Sequence, residues 1–119
     1  MKIENLEIIA YQPQLAIHFY KLNVEWLEKY FYVETYDQKG LSNPKKYVID
    51  PGGFIFFAKY NSEIIGVVAL INQKTFFELS KMAVSPKYQG LKIGQTLMTF
   101  CIEFAQNQEW KSITLYSHR

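Results

Sequence analysis

Residues 82–98 constrain the fold of this chain more than any other stretch, because they combine three local signals in a fixed order. The stretch begins with the end of an apolar strand. That strand has to stop at Ser85-Pro86, since proline brings no N–H to a ladder and restricts the residue before it. A loop with two glycines follows, and then an amphipathic helix, because apolar residues recur at one-face helical spacing at Ile93, Leu97, Cys101, Phe104 and Ala105. The sequence therefore predicts a strand–loop–helix unit.

The loop of this unit has the properties of an anion-binding site. The first N–H groups of a helix lack intrahelical acceptors, and the helix dipole favours negative charge beside them. Gly90 and Gly94 would let the backbone approach a phosphate group closely. These features predict a ligand that carries phosphate, without identifying it.

The same residues carry a family resemblance. The hexapeptide Gln89-Gly90-Leu91-Lys92-Ile93-Gly94, preceded by Met82-Ala83-Val84-Ser85-Pro86, resembles the acetyl-coenzyme A motif of the GNAT superfamily of N-acetyltransferases. That motif has Gln or Arg, two residues, Gly, one residue, and then Gly or Ala. Gln89 and Gly94 fit its ends, whereas Lys92 stands where the family usually has the first glycine. A left-handed lysine would cost about 1 kcal/mol, so we expect a right-handed backbone at Lys92, with its ammonium group near a pyrophosphate.

The rest of the chain alternates strand and helix patterns. Strand patterns cover Leu6–Ala10, Phe54–Tyr60, Glu63–Ile71, Thr75–Val84 and Ser112–Tyr116. Helical spacing covers Pro13–Tyr30 and Ile93 to about Gln108, and residues 32–52 are polar and irregular, with one short helix through Lys45–Tyr47. Asn23 could cap a second helix and divide the first helical segment, an alternative that the sequence leaves open. Asn61-Ser62 is a candidate turn, and Gly66 indicates a bulge or a close backbone approach.

These elements predict an α/β fold with a mixed sheet: an antiparallel meander, then a strand–loop–helix–strand crossover whose two strands are parallel. The resemblance implies a single GNAT-like domain over residues 1–119. It also implies an incomplete one, because the family normally continues into a fourth helix and two more strands, and this sequence stops at Arg119. Whether that end is natural stays open. An uncovered strand edge would favour a homodimer or an exchange of elements between chains.

Composition excludes several classes of protein. The 119 residues are 49% hydrophobic and 20% charged, which is typical of a globular chain. The formal net charge of +2 is too small to favour nucleic acid or an anionic membrane as a partner. The single cysteine excludes an intrachain disulfide, and no Cys/His cluster predicts a metal site. Without a signal peptide or an apolar run of about 18 residues, the predicted location is cytoplasmic.

Acyl transfer to an amine needs a general base, because a free alkylamine is protonated at neutral pH. The candidate is Glu78, a carboxylate inside an otherwise apolar strand, where burial would make it a stronger base. A regular strand would place Glu78 and Val84 on one face, unless a bulge intervenes. The resemblance agrees, since some GNAT enzymes carry their base at the matching place. The alternative is a structural carboxylate that pairs with Lys81 or is exposed on an edge.

The resemblance also implies a coenzyme site and an activity. Acetyl-CoA would be the cosubstrate, with its thiol arm paired along strand residues and its pyrophosphate held by loop N–H groups. The implied coenzyme-binding residues are Met82, Ala83, Val84, Gln89, Gly90, Leu91, Lys92, Ile93, Gly94 and Gln95. The N–H of Val84 would face the thioester oxygen and stabilise its developing charge. The implied function is acetyl transfer to an unidentified primary amine by direct attack. The alternative is a catalytically silent module of the same fold that binds acyl-CoA or another protein.

Overall fold

The computed structural model describes residues 5–30, 35–108 and 113–115, and a mixed five-stranded sheet forms its central layer. The strands lie side by side in chain order: β1 (Leu6–Ala10), β2 (Phe54–Tyr60), β3 (Glu63–Asn72), β4 (Phe77–Val84) and β5 (Ile113–Leu115). The first four strands pair antiparallel, whereas β4 and β5 pair parallel. The predicted meander and the parallel crossover are therefore confirmed.

Helices cover both faces of this sheet. A 3-10 turn at Pro13–Leu15 leads into α1 (Ala16–Tyr30), which packs with α2 (Thr35–Ser42) on one face. The third helix, α3 (Ile93–Asn107), packs on the other face. Because the sheet is covered on both sides, its inner strands are apolar on both faces, and the architecture has three layers.

Alternation along the strands divides the buried residues into two cores. In β2, Phe57 points to α1 and α2, whereas its neighbour Phe56 points to α3. The core on the α1–α2 face contains Phe19, Leu22, Leu41, Val48, Ile55, Phe57, Val67, Ala69 and Ala83. The core on the α3 face contains Phe56, Ala58, Ile65, Val68, Leu70, Leu79, Ile93, Leu97 and Cys101. Both cores include residues of β4, so this strand is packed on both of its faces.

The helical segments on the α1–α2 face differ from the sequence expectation in two places. α1 runs unbroken through Asn23, whose buried amide group donates to the Phe19 carbonyl oxygen at 3.0 Å, so a division there is wrong. An irregular stretch over residues 32–52 is also wrong, because it contains α2, while the short helix expected near its end is a π-helical turn at Lys45–Ile49. Packing of Leu41, which is 1% exposed, stabilises α2 where local propensity is weak.

α3 lies close to the sheet at Gly66 in β3. A Cβ atom at Gly66 would lie 3.2 Å from both Ile93 Cγ2 and Leu97 Cδ1 of α3. The ladder between β2 and β3 also shifts register beside it, between Ala58 and Lys59. The register shift is the bulge that the strand glycine predicted, whereas the atoms nearest to Gly66 belong to side chains and not to another backbone.

Candidate functional site

A bulge in β4 sets the geometry of the candidate site. Opposite Val68 of β3, β4 contributes two residues, Lys81 and Met82, and Lys81 has a left-handed backbone with φ of 55°. The extra residue reverses the alternation of faces along the strand. Leu79 belongs to the α3 core before the bulge, and Val84 packs against that same core after it. Odd-numbered residues of β4 therefore face α3 before the bulge, and even-numbered residues face it afterwards.

Glu78 and Val84 consequently lie on opposite faces of the sheet, and the expectation of a shared face is wrong because of the inserted residue. Glu78 pairs across strands with Ile71, which packs against the core under α1. The Glu78 side chain is half-buried, and its Oε1 accepts a hydrogen bond from Gln73 Nε2 at 2.7 Å. Among the described residues no ion pair joins Glu78 to Lys81, so the proposed lysine pairing is not formed. The carboxylate instead faces the α1 side with one oxygen bonded.

Beyond Leu79, the edge of β4 that faces away from β3 carries backbone groups that no described strand pairs with. The N–H of Ser85 donates to the Ile65 carbonyl oxygen of β3 at 2.8 Å. The N–H of Val84, one residue earlier, therefore points away from β3, since backbone direction alternates along a strand. In the described part of the chain, the ladder between β4 and β5 covers only the three residues from Phe77 to Leu79. Met82 and Val84, in alternation with Ala83, thus present N–H and C=O groups on the side of β5.

The β4–α3 loop (residues 85–92) is anchored in its first half. Pro86–Tyr88 form a 3-10 turn, in which the N–H groups of Tyr88 and Gln89 donate to carbonyl oxygens at 2.9 and 3.4 Å. The Tyr88 hydroxyl donates to Glu63 Oε1 at 2.9 Å, at the start of β3. These bonds join the beginning of the loop to itself and to the sheet.

The second half of the loop is open. Within the ranges 5–30, 35–108 and 113–115, no acceptor receives the N–H groups of residues 90–95. The first backbone bond of α3 is the one from the Thr96 N–H to the Lys92 carbonyl oxygen, at 3.0 Å, and Lys92 supplies no side-chain cap. A row of backbone donors at the start of a helix is therefore available to an anion.

Two residues of this open half have left-handed backbones. Gly90 has φ of 87°, and Lys92, the N-cap of α3, has φ of 63°. The expected right-handed conformation at Lys92 is therefore wrong. Its side chain is exposed, while the next residue, Ile93, is buried under the helix, so packing of Ile93 sets the direction in which the chain enters α3. The strain of about 1 kcal/mol is accepted at a position where the chain has to turn.

The two sets of predicted coenzyme-binding residues meet at one contact. A Cβ atom on Gly94 would lie 3.3 Å from Met82 Sδ, so the first turn of α3 rests on the bulged part of β4. Of the predicted residues, the exposed ones are Gln89, Gly90, Leu91, Lys92 and Gln95, the half-buried ones are Met82, Val84 and Gly94, and the buried ones are Ala83 and Ile93. Ile93 can offer a ligand only its backbone N–H, while the backbone groups of Ala83 point towards β3, opposite to those of Val84.

The charges near the loop are positive. Lys81, Lys87 and Lys92 are exposed around it, and Lys87 Nζ lies 6.0 Å from the centre of the Tyr88 ring. No trio of His, Cys, Asp or Glu within the described residues is arranged to hold a metal ion. Cys101 is buried in the α3 core, and burial raises its pKa to about 12, so its thiol is a packing group.

Comparison with known protein families fits this geometry. The family model of the GNAT acetyltransferases matches residues 19–118. The chain belongs to the GNAT acetyltransferase family. No curated protein matches it. Within the described residues of this GNAT acetyltransferase, none of the helices has the length and apolar content required to span a bilayer.

Solved structures give the same family and fold. A GNAT-family acetyltransferase from Staphylococcus aureus Mu50 is 25% identical with a TM-score of 0.81, over 94% of this chain and 72% of that one. An acetyltransferase from Streptococcus agalactiae 2603 is 22% identical with a TM-score of 0.76, over 95% and 73%. A predicted acetyltransferase from Clostridium acetobutylicum, crystallised with acetyl-CoA, is 13% identical with a TM-score of 0.75, over 96% and 82%. The last two show the fold alone.

Sequence reasoning missed two side-chain partners of the site. Gln73, which donates to Glu78, lies in the turn before β4, and Glu63, which accepts from Tyr88, lies 25 residues earlier in the chain. Neither pair has a local signature, because each depends on which strands are neighbours. The Asn61-Ser62 turn predicts that Glu63 pairs with Tyr60 across the β2–β3 hairpin. It does not predict that the loop after β4 contacts Glu63.

Proposed function

We propose that this GNAT protein is an N-acetyltransferase that transfers the acetyl group of acetyl-CoA to a primary amine. The observation that carries the proposal is the row of N–H groups from Gly90 to Gln95, for which the described residues supply no acceptor. Such a row at the start of a 15-residue helix suits a diphosphate, since the donors converge and the dipole favours negative charge. Family membership supports this choice of cosubstrate.

The outer edge of β4 is the proposed binding place for the thiol arm. Its backbone groups at Met82 and Val84 can pair with the amides of the arm in the way that an added strand pairs with a sheet edge. The contact between Gly94 and Met82 connects this edge to the diphosphate end of the site. Lys92 would add a positive charge beside the diphosphate, while Ile93 in the α3 core and Ala83 in the α1–α2 core would hold the backbone in place.

Glu78 is the proposed general base. Its distance along β4 from Met82 and Val84 limits where the thioester can lie. Along the strand, Val84 is about 18 Å from Glu78, whereas Met82 is about 12 Å away. One bridging water spans two hydrogen bonds of about 2.8 Å each. The thioester carbonyl therefore has to lie beyond Met82 on the side of Glu78, because the distance of about 12 Å from Met82 itself exceeds the roughly 5.6 Å that one water spans. Gln73 holds one carboxylate oxygen, which leaves the other for the amine or its water.

The reaction then proceeds by direct attack. The nitrogen of a neutral amine forms a bond to the carbonyl carbon, the carbon–sulfur bond breaks, and its electron pair leaves with the sulfur. Glu78 accepts the proton that the nitrogen loses and releases it to solvent, and the thiolate takes up a proton from water to give the free thiol. The products are an amide and CoA.

Two measurements test this proposal in sequence. Calorimetric titration with acetyl-CoA should give saturable binding, and amide NMR shifts on titration should be largest for residues 90–95. Release of the CoA thiol, measured across a panel of primary amines, should then depend on the amine. Absence of acetyl-CoA binding would overturn the whole proposal. Binding without transfer to any amine would overturn the activity and favour a catalytically silent module.

A further inference from the structure

The Tyr88 side chain joins the β4–α3 loop to the start of β3. Its hydroxyl donates to Glu63 Oε1 at 2.9 Å, and its half-buried ring packs edge-on against Tyr60, with ring centres 5.8 Å apart. Glu63 is the first residue of β3, directly after the Asn61-Ser62 turn of the β2–β3 hairpin. The loop is therefore tied to a part of the chain that carries no predicted coenzyme-binding residue.

A second bond fixes the same turn to the same strand. The N–H of Ser85 donates to the Ile65 carbonyl oxygen at 2.8 Å, and the N–H of Tyr88 donates back to Ser85 at 2.9 Å. Residues 85–88 are thus held to β3 at two points, Ile65 and Glu63. Directly after this anchored turn, the chain enters the open half, where its N–H groups have no acceptor among the described residues. The direction of those N–H groups depends on the turn that precedes them.

We infer that the Tyr88–Glu63 hydrogen bond positions the open half of the loop, so that Tyr88 is a positioning residue for binding of the diphosphate of acetyl-CoA. This inference rests on the proposed function. The side chain acts at a distance, because its hydroxyl is bonded to Glu63 of β3 and not to the residues that carry the N–H row. The hydrogen bond to Glu63, followed by burial, raises the pKa of Tyr88, so the phenol holds its proton and is a poor acid for a departing thiolate.

The test compares variants that remove this one bond. Tyr88→Phe deletes the hydroxyl and keeps the ring, Glu63→Ala deletes the acceptor, and Glu63→Gln keeps an oxygen that can accept. Tyr47→Phe is the matched control, since Tyr47 is an exposed tyrosine with Lys46 Nζ 5.4 Å from its ring, in the turn on the opposite face of the sheet. Acetyl-CoA affinity is measured by calorimetry for each variant and for the unsubstituted chain.

The expected result is selective loss of affinity. Tyr88→Phe and Glu63→Ala should each weaken acetyl-CoA binding about three- to tenfold, while Glu63→Gln should lose less and Tyr47→Phe nothing. The Tyr88→Phe, Glu63→Ala double variant should bind within about twofold of the weaker single variant, because both remove the same bond. In the free Tyr88→Phe protein, NMR amide shifts should change for residues 90–94 and not for Gly52 and Gly53. Melting temperatures should stay within about 4 °C.

The failures of the two proposals are distinguishable. If the unsubstituted chain binds acetyl-CoA and Tyr88→Phe binds it equally well, the positioning role is overturned and the coenzyme site stands. Additive losses in the double variant, or an equal loss in Tyr47→Phe, would also overturn it, because the effect would not come from this bond. If the unsubstituted chain does not bind acetyl-CoA, both proposals are overturned together.

Discussion

The two ends of β4 differ in how their backbone N–H groups are bonded. At the β3–β4 turn (residues 73–76), Gln73 donates to Phe76 at 2.9 Å, Thr75 donates to Gln73 at 2.9 Å, and Lys74 donates to Asn72 Oδ1 at 2.8 Å. Beyond the other end, past the bonded turn at residues 85–89, the N–H groups of residues 90–95 have no acceptor in the described chain. One end of the strand is closed on itself, and the other is open to a ligand.

Backbone strain does not account for this difference. Lys74 in the closed turn has φ of 76°, and Lys92 in the open loop has φ of 63°, so each end contains a left-handed lysine. What separates the two ends is whether the donors are satisfied. A left-handed residue alone is therefore a poor guide to a functional site in this fold, and unsatisfied N–H groups at a helix start are a better one.

The N–H groups at the start of α3 can be held open to a ligand only if the helix itself stays packed on the sheet. The reactivity of Cys101, a buried residue of α3, measures that packing. Burial raises its pKa from an ordinary 9.0 to about 12, so the native thiolate fraction is about a thousandfold below that of a free cysteine. At pH 8, Ellman's reagent should react far more slowly with the native protein than with the unfolded one. The stability contribution of the neutral thiol should be complete below pH 9 and lost as pH rises towards 12.

Native labelling of Cys101 as fast as that of the unfolded chain would mean that α3 detaches readily. The Cys101→Ser variant supplies the blank, since the chain has no other cysteine.

Catalysis should depend on Glu78, which is bonded to the closed turn before β4, whereas coenzyme binding should depend on the open loop after β4. Glu78→Gln keeps the size of the side chain and removes the base, so kcat should fall about a hundredfold or more while KM for acetyl-CoA changes little. Steady-state kinetics with an amine found in the panel give both constants. Glu103→Gln, which changes an exposed carboxylate on α3, is the control. A Glu78→Gln variant that raises KM and keeps kcat would reverse the assignment of the two ends.

Gly66 links the open end to the sheet. Gly66→Ala would push a Cβ to within 3.2 Å of Ile93 and Leu97, both buried, so we expect a loss of about 1–3 kcal/mol in the free energy of unfolding. Gly40→Ala in α2, where a Cβ meets nothing within 4 Å, should instead add about 0.5–1 kcal/mol. Urea unfolding followed by circular dichroism measures both. If Gly66→Ala is no less stable than Gly40→Ala, then α3 moves to accommodate the added methyl group.

Charge reversal compares the two left-handed lysines directly. Lys92→Glu should weaken acetyl-CoA binding about tenfold at low salt, and the loss should shrink as salt is added, since both side chains are exposed. Lys74→Glu should have no such effect, because the N–H groups of residues 73–75 already have acceptors. Calorimetry at two salt concentrations separates the outcomes, and equal losses would indicate a general charge effect instead of a local site.

The smallest expected effect is relief of backbone strain. Lys92→Gly and Lys74→Gly should each raise the free energy of unfolding by up to about 1 kcal/mol, measured by urea unfolding. Only Lys92→Gly should also change acetyl-CoA affinity. If neither variant is more stable, the left-handed conformations are not strained, and the lysines are held there by favourable contacts.

Local sequence pattern predicted the regular strands of this fold. It failed for the features that depend on contacts between residues far apart in the chain. The bounds of β1 and β2 follow from alternation and flanking turn residues, and the structure has them at Leu6–Ala10 and Phe54–Tyr60. α2 was missed because packing of Leu41 stabilises it, and the bulge at Lys81 has no sequence signature. The residues of the candidate site came from the motif, yet the partners Gln73 and Glu63 depend on strand neighbours. The homodimer and the cytoplasmic location stay predictions.

The extra residue in β4 has a consequence for any redesign of this strand. Removing Lys81 would restore strict alternation and leave the other side chains on their present layers, since Leu79, Met82 and Val84 contact the α3 core and Ala83 lies in the core beneath α1. Adding one more residue to β4 after the bulge would instead invert every later position, and Ala83 would exchange sides with Val84. Lys81 is therefore a residue that β4 can lose while each later side chain keeps its layer.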